Sequence, residues 1–258
     1  MSITDEYPRE GAVDLSVAGG VATIEFSHPK GNSLPARVLR LLAEQMTAVG
    51  ARDDVRDIAL RSAREGPFCA GASFDELSAI QDEIAGKRFF LGFAHLILAM
   101  IRCPKPIVTR VQGKVVGGGV GVVAASDYVI ATEHAQLRLS ELAVGIGPFV
   151  VGPAIERKIG PGAFSAMALD ADWRSAKWAL DVGLYAGIHD SVSGLDSAFE
   201  GFVNQLAKSN PEATARIKAT LWEGTDHWDR LLDERAEMSG RLVLSAHTRC
   251  ALEAFKTR

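Results

Sequence analysis

A chain of 258 residues, 47% hydrophobic and 23% charged, has the apolar content to bury the core of one large domain. Its net charge of −4 excludes a basic footprint for nucleic acid or an anionic membrane. No apolar run reaches the roughly 18 residues of a membrane span. Cys69, Cys103 and Cys250 are widely spaced and odd in number, which argues against a disulfide framework and against a zinc site. A reducing cytoplasm is the expected compartment. Residues 1–11 are polar and acidic and do not read as a signal peptide.

Residues 13–17 and 21–26 are β-like runs split by Gly19-Gly20, which predicts a hairpin. The segment His28-Pro29-Lys30-Gly31-Asn32-Ser33 is turn chemistry. Ser33 is placed to cap a helix running to about residue 49, with Leu34, Val38, Leu41, Leu42 and Met46 on its apolar face. Residues 57–62 read as a strand and 63–66 as a turn. Residues 68–72, Phe-Cys-Ala-Gly-Ala, are a small-residue segment, and residues 73–76 are polar enough to open a helix. An apolar helix over 89–101 ends at Cys103-Pro104-Lys105-Pro106 and leads into a strand over 107–111.

Residues 114–127 then bring Gly117, Gly118 and Gly119 in a row, followed by small apolar residues that suit a tightly packed helix. A glycine turn feeding a helix N-terminus leaves N–H groups free and adds the helix dipole to them. Such a corner suits a phosphate or an oxyanion, although packing alone also produces one. Residues 128–131 are a strand, 136–139 a further extended run, and Ser140-Glu141 follows. From residue 154 the sequence turns mostly helical, over 154–159, 163–168, 175–181, 195–209, 211–221 and 225–244, with an extended break at 183–189. The repeated order of strand, small-residue turn and helix predicts an α/β body with chemistry at the turns.

Two of these corners converge with an acid. Residues 68–72 and 116–121 each bring small residues to a strand-to-helix corner, so two backbone N–H groups can grip one oxygen. Ser140-Glu141 then places a carboxylate in an otherwise apolar neighbourhood, before Gly145, Gly147 and Pro148. Together these motifs resemble the crotonase superfamily, the enoyl-CoA hydratase/isomerase family, from about residue 13 to the end of the chain. Asn32-Ser33-Leu34, residues 176–187 and the helical tail resemble it too.

The resemblance implies a ββα spiral core over residues 1–190 and a helical section over 191–258 that covers the pocket and joins subunits into trimers or hexamers. It implies an acyl thioester substrate, on coenzyme A or an acyl carrier protein, with no other cofactor and no metal. The oxyanion hole falls to the N–H groups of Ala72 and Gly118, and the acid/base to Glu141. Phe74, Leu77, Gly117, Gly121, Pro148 and Phe149 fall in the acyl pocket.

The sequence departs from the family's hydratases at Gly121, where they carry the first of two glutamates. Hydration ordinarily uses one group to activate water and one to protonate the α-carbon. A single desolvated glutamate can still move a proton between carbons, or take an α-proton and hand it to a departing hydroxyl. The stretch from Gly119 to Asp127, Leu139-Ser140-Glu141-Leu142, and Pro148 followed by Phe149-Val150-Val151 resemble a dehydratase branch that removes water from 3-hydroxy-3-methylglutaryl thioesters. That branch also has glycine in place of the first glutamate. The expected function is hydration or dehydration of a short or branched enoyl or 3-hydroxyacyl thioester. The alternatives are double-bond isomerisation and a non-catalytic acyl-CoA-binding scaffold.

Other residues read as structural. Asp75 and Glu76 are first-turn helix acids. Cys69 lacks a paired histidine nearby in sequence, and His95 reads as a packed histidine on an apolar helix. Trp222 and Trp228 are expected to cover the pocket or an interface. Lys105, Lys256 and Arg258 are available to coenzyme A phosphates but read first as solvated cations.

Overall fold

The computed structural model describes residues 10–63 and 65–256, with side chains to residue 254. The expectations for the first nine residues, for the Lys256 side chain and for Arg258 lie outside the described residues. The predicted hairpin is β1 (Ala12–Ala18) and β2 (Val21–Ser27), antiparallel, with Gly19 and Gly20 both at positive φ as a two-residue loop of this kind requires. Next come α1 (Ala36–Gly50), β3 (Asp57–Ser62), α2 (Phe74–Ala79), α3 (Glu83–Arg102), β4 (Ile107–Val111), β5 (Val115–Val116), α4 (Gly118–Ala125), β6 (Tyr128–Thr132) and β7 (Leu137–Arg138). The chain closes with α5 (Gly152–Asp170), α6 (Ala176–Asp181), β8 (Gly187–His189), α7 (Val192–Leu206), α8 (Pro211–Leu221), α9 (Trp228–Val243) and α10 (Ala246–Lys256).

The main sheet has the order β1-β2-β3-β4-β6-β8 and is parallel from β2 onward. Parallel strands need crossovers, and the helices between them supply these. A second, parallel pair, β5 and β7, stands apart from the main sheet and carries the candidate site. One sheet face is covered by α7, where Leu195, Phe199 and Val203 meet Val21, Ala59, Val108 and Ile130. The main core holds Ile24, Phe26, Leu42, Met46, Leu60, Phe93, Leu96 and the valines of α4.

At 20 residues, α3 is long and apolar enough to cross a membrane by length and composition, contrary to the sequence expectation. Here it is a core helix. Its Phe93, Ala94, Leu96 and Ile97 are buried, and Gly86 crosses Gly240 of α9 so closely that a Cβ on Gly86 would lie 2.8 Å from the Gly240 Cα. His95 falls on the opposite face and is exposed, so it is not the packed histidine expected. Trp222 and Trp228 are buried against each other, edge to face at 6.1 Å, away from the candidate cavity. α5 is broken at Gly160 (φ 78°, ψ 160°) before Pro161, as the split between residues 159 and 163 anticipates.

The helix after Ser33 starts later than predicted, at Ala36, and Ser33 does not cap it. The Ser33 hydroxyl pairs with His28 Nδ1 at 2.8 Å, and the orphan N–H of Ala36 donates to Glu76 Oε2 at 2.8 Å, an acid forty residues away on α2. Asp75 beside it forms an ion pair with Lys30. The first-turn acids of α2 therefore tie the start of α1 and the preceding turn to the second small-residue corner.

Asp57 opens β3 fully buried, with neither carboxylate oxygen hydrogen-bonded, and burial pushes its pKa up to about 7. A carboxyl raised from 3.8 contributes most to stability below that value and loses the contribution as pH rises through about 7. Asp57→Asn should therefore stabilise the protein at pH 8 by about 1–3 kcal/mol and have little effect at pH 4. Denaturant melts across that range check both the size and the sign.

Candidate active site

Asn32 builds the first corner. It is one of two non-glycine residues at positive φ among the described residues, and its Nδ2 donates to the carbonyls of Ala63 and Pro67 at 2.9 and 3.1 Å. Its Oδ1 accepts from His28 N–H. These bonds join the turn after β2 to the segment leaving β3. Leu34 then bridges to Ala72: Leu34 N–H donates to Gly71 O at 2.8 Å, and Ser73 N–H to Leu34 O at 3.3 Å. In a parallel bridge of that pattern both polar groups of Leu34 are used, and the Ala72 N–H is directed away from it.

The second corner is stitched to the first. Cys69 N–H donates to Lys114 O and Val116 N–H to Cys69 O, forming a parallel bridge between Cys69 and Val115. Gly117 takes φ 53° and ψ −123°, outside the basins of L-residues with a Cβ, and its N–H donates to Arg138 O on β7. Gly118 opens α4, so its N–H has no intrahelical acceptor. A Cβ on Gly118 would lie 2.2 Å from the Phe93 ring, so α4 reaches this position only with glycine.

Glu141 enters from the turn after β7. A 3-10 turn over Leu142–Val144 follows it and ends at Gly145 in the left-handed region; Val144 and Ile146 N–H both donate to Glu141 O. α10, within the helical section expected over 191–258, braces this turn through the Thr248 hydroxyl on Gly145 O at 3.1 Å. The Glu141 side chain caps nothing and forms no ion pair among the described residues. A Cβ on Gly117 would stand 3.2 Å from Glu141 Oε1, so the carboxylate lies directly over the glycine corner. Oε2 is buried and has no hydrogen-bond partner. Burial pushes the Glu141 pKa up from 4.5 to about 7, opposed in part by backbone N–H groups at 141 and 140.

These elements enclose a cavity of about 390 Å³. Ala72, Phe74, Leu77, Gly117, Gly118, Glu141, Pro148 and Phe149, all singled out in the sequence, line it. Gly121 does not, which corrects the expectation for that residue. It lies one turn into α4, where a Cβ would come within 2.6 Å of the Val151 side chain. The segment Phe149-Val150-Val151 thus fills the space beside α4 in which a side chain at position 121 would start. Among the described residues, Glu141 is the only carboxylate on the wall. The sequence reading missed Phe89, Phe90 and Phe93 of α3, Trp173, Ser239 of α9 and Arg138. Lys105 is not on the wall, and its carbonyl binds Lys218. Cys69 is buried beside the corner, and burial raises its thiol to about 12, which removes it as a nucleophile near neutral pH.

A spiral of β-strands and helices with two glycine-bearing corners facing one cavity places the fold in the crotonase class of α/β proteins. The chain belongs to the enoyl-CoA hydratase/isomerase family, whose sequence profile matches residues 16–258. It is 26% identical over 248 residues to a probable enoyl-CoA hydratase of Bacillus subtilis (strain 168), covering 95% of each chain. It is also 26% identical over 208 residues to a carnitinyl-CoA dehydratase of Proteus mirabilis (strain HI4320), covering 80% of this chain and 78% of the relative. The crystal structure of enoyl-CoA hydratase from Bacillus halodurans superposes with a TM-score of 0.86 over 94% of this chain and 99% of the other, at 22% identity, a likeness of fold.

Proposed function

We propose that this chain hydrates or dehydrates a short or branched enoyl or 3-hydroxyacyl thioester, with Glu141 as its single acid/base. The observation that carries the reading is the desolvated Glu141 carboxylate, its Oε2 without a hydrogen-bond partner, lying over Gly117 in the cavity that Ala72 and Gly118 also line. In the dehydration direction, Glu141 takes the α-proton and the charge moves to the thioester oxygen. The Ala72 and Gly118 N–H groups stabilise that enolate. The enolate electron pair re-forms as the double bond and expels the β-hydroxyl, which leaves as water with the proton held by Glu141. Hydration runs through the same steps in reverse. The apolar wall of Phe74, Leu77, Phe89, Phe90 and Phe93 excludes water and strengthens the donors.

Gly121 supports the one-carboxylate route, since Val151 packs where a second acid on α4 would begin. The same feature favours isomerisation as a second reading, because shifting a double bond needs one base that moves a proton between two carbons. Assembly as a trimer or hexamer belongs to this proposal.

The test incubates wild type with crotonyl-CoA, a 3-enoyl-CoA and 3-hydroxy-3-methylglutaryl-CoA and follows the products by mass spectrometry with isomer separation. A mass change of one water supports the hydratase/dehydratase reading. A retention shift at constant mass moves the assignment to isomerisation. No change on any of the three removes the proposed reaction for these acyl groups and leaves the acyl-CoA-binding scaffold.

A further inference from the structure

Among the described residues, two hydroxyls stand on the cavity wall, those of Ser140 and Ser239. Ser239 is occupied: it donates to Arg235 O at 3.0 Å, one turn back on α9. The Ser140 hydroxyl has no partner among the described residues. Leu137 and Leu139 are buried in the core, and the alternation, carried on past β7, sends Arg138 and Ser140 to the cavity side. The strand that presents Ser140 is held along both edges. β7 pairs with β5 on one side, and Leu137 exchanges bonds of 3.0 and 2.8 Å with Arg174 on the other.

A Cβ on Gly117 would stand 3.2 Å from Glu141 Oε1 and 3.5 Å from Ser140 Oγ. Carboxylate and hydroxyl thus converge on one spot above the glycine corner, from neighbouring positions in the chain. The proposed reaction uses the carboxylate and leaves the hydroxyl without a task. It also leaves one atom unheld, the oxygen that enters or departs as water. An ordered water needs at least two polar partners, and Glu141 alone supplies one. α4 supplies none: Gly121 has no side chain, and Val151 packs where one would begin. A hydroxyl both donates and accepts, so it can bind a water before attack and a developing hydroxide as it departs.

We propose that Ser140 is a second catalytic residue, whose hydroxyl holds the oxygen added to or lost from the β-carbon. This rests on the hydratase/dehydratase reading and names the group that places its water. In dehydration, Glu141 takes the α-proton, and the Cβ–O bond breaks as the double bond forms. The departing oxygen keeps the electron pair of that bond and takes the proton from Glu141, leaving as water. Ser140 keeps its own proton throughout and donates a hydrogen bond to that oxygen as charge builds on it. Hydration reverses the order, with Ser140 aiming the water at the β-carbon.

The experiment separates water chemistry from proton chemistry. Water chemistry is followed on crotonyl-CoA, or on 3-hydroxy-3-methylglutaryl-CoA should only that be turned over, and needs Glu141 and a placed water. Exchange of the α-protons of saturated butyryl-CoA in deuterium oxide needs only Glu141 and the oxyanion corner, and mass spectrometry reads it as added deuterium. Ser140→Ala should lower kcat for the water step by about 10²-fold, as for one lost donor to a developing charge, with KM unchanged. It should exchange butyryl-CoA at the wild-type rate. Ser140→Thr, which keeps a hydroxyl, should recover part of the water step. Full water chemistry in Ser140→Ala would overturn the proposal and leave the reaction standing. Loss of water chemistry and exchange together would make Ser140 a support for Glu141, which overturns it as well. A wild type without water chemistry on either substrate would remove the hydratase/dehydratase reading, and this proposal with it, whatever its exchange rate.

Discussion

Glu141→Gln should lower turnover by about 10²–10⁴-fold, the usual contribution of one positioned acid/base, while leaving acyl-CoA affinity nearly unchanged. Gln keeps the size and the neutral hydrogen-bonding capacity of the side chain and removes only its exchangeable proton. The pH profile gives a second readout. A single-carboxylate route starts from the ionised form in both directions, so wild-type kcat should fall as pH drops through about 7. An inflection near the ordinary 4.5 would mean that the carboxylate is solvated during turnover.

Stability should move the other way. Burial raises the Glu141 pKa to about 7, so its contribution is greatest below about 4.5 and lost as pH rises through 7. Above pH 7 the wild type carries a desolvated charge that the variant lacks. Glu141→Gln should then be the more stable protein at pH 8, by roughly 1–3 kcal/mol, with the gap closing toward pH 4. Lost activity together with gained stability marks a residue held for chemistry rather than for the fold. A variant that loses both would make Glu141 a structural acid.

The strands were legible because their runs are short, β-branched and bounded by glycine or proline; β3 and β4 fall where residues 57–62 and 107–111 were read. Both corners were legible for a related reason: a positive φ at Gly71 in the first and at Gly117 in the second, with a Phe93 ring against Gly118, calls for glycine, so the need is written in the sequence. What escaped was settled by partners far away in sequence. The cap of α1 comes from Glu76, and no rule of local spacing links it to Ala36. Arg138 lies on a two-residue strand too short for alternation to be recognised, so nothing in the local pattern marks it as a lining residue. Gly121 was assigned to the pocket from its position in a motif, whereas Val151 decides what that position faces. The polar His95 interrupts an apolar helix on its exposed side.

Lys218→Met should produce the largest stability loss outside the cavity. Lys218 Nζ lies 2.8 Å from Asp127 Oδ2, with side-chain exposures of 3% and 9%, and also donates to Lys105 O at 2.9 Å. Asp127 Oδ2 further accepts from Ile107 N–H at 2.7 Å, and Oδ1 from Trp222 Nε1 at 3.1 Å. One carboxylate thereby joins the end of α4, the start of β4 and the end of α8. Removing the lysine leaves Asp127 charged and buried, which costs about 3–5 kcal/mol. For a chain of this size that lowers Tm by roughly 10 °C. The double variant Asp127→Asn, Lys218→Met removes both members of the pair, relieves the buried Lys158 of the neighbouring Lys218 charge, and should recover part of the loss. Recovery in the double variant assigns the effect to the ion pair. Equal loss in the single and double variants would assign it to the bond on Lys105 O. Below the melting transition the Lys218→Met protein should keep its turnover, because the clamp holds the far end of α4 while Gly118 opens the near end at the cavity.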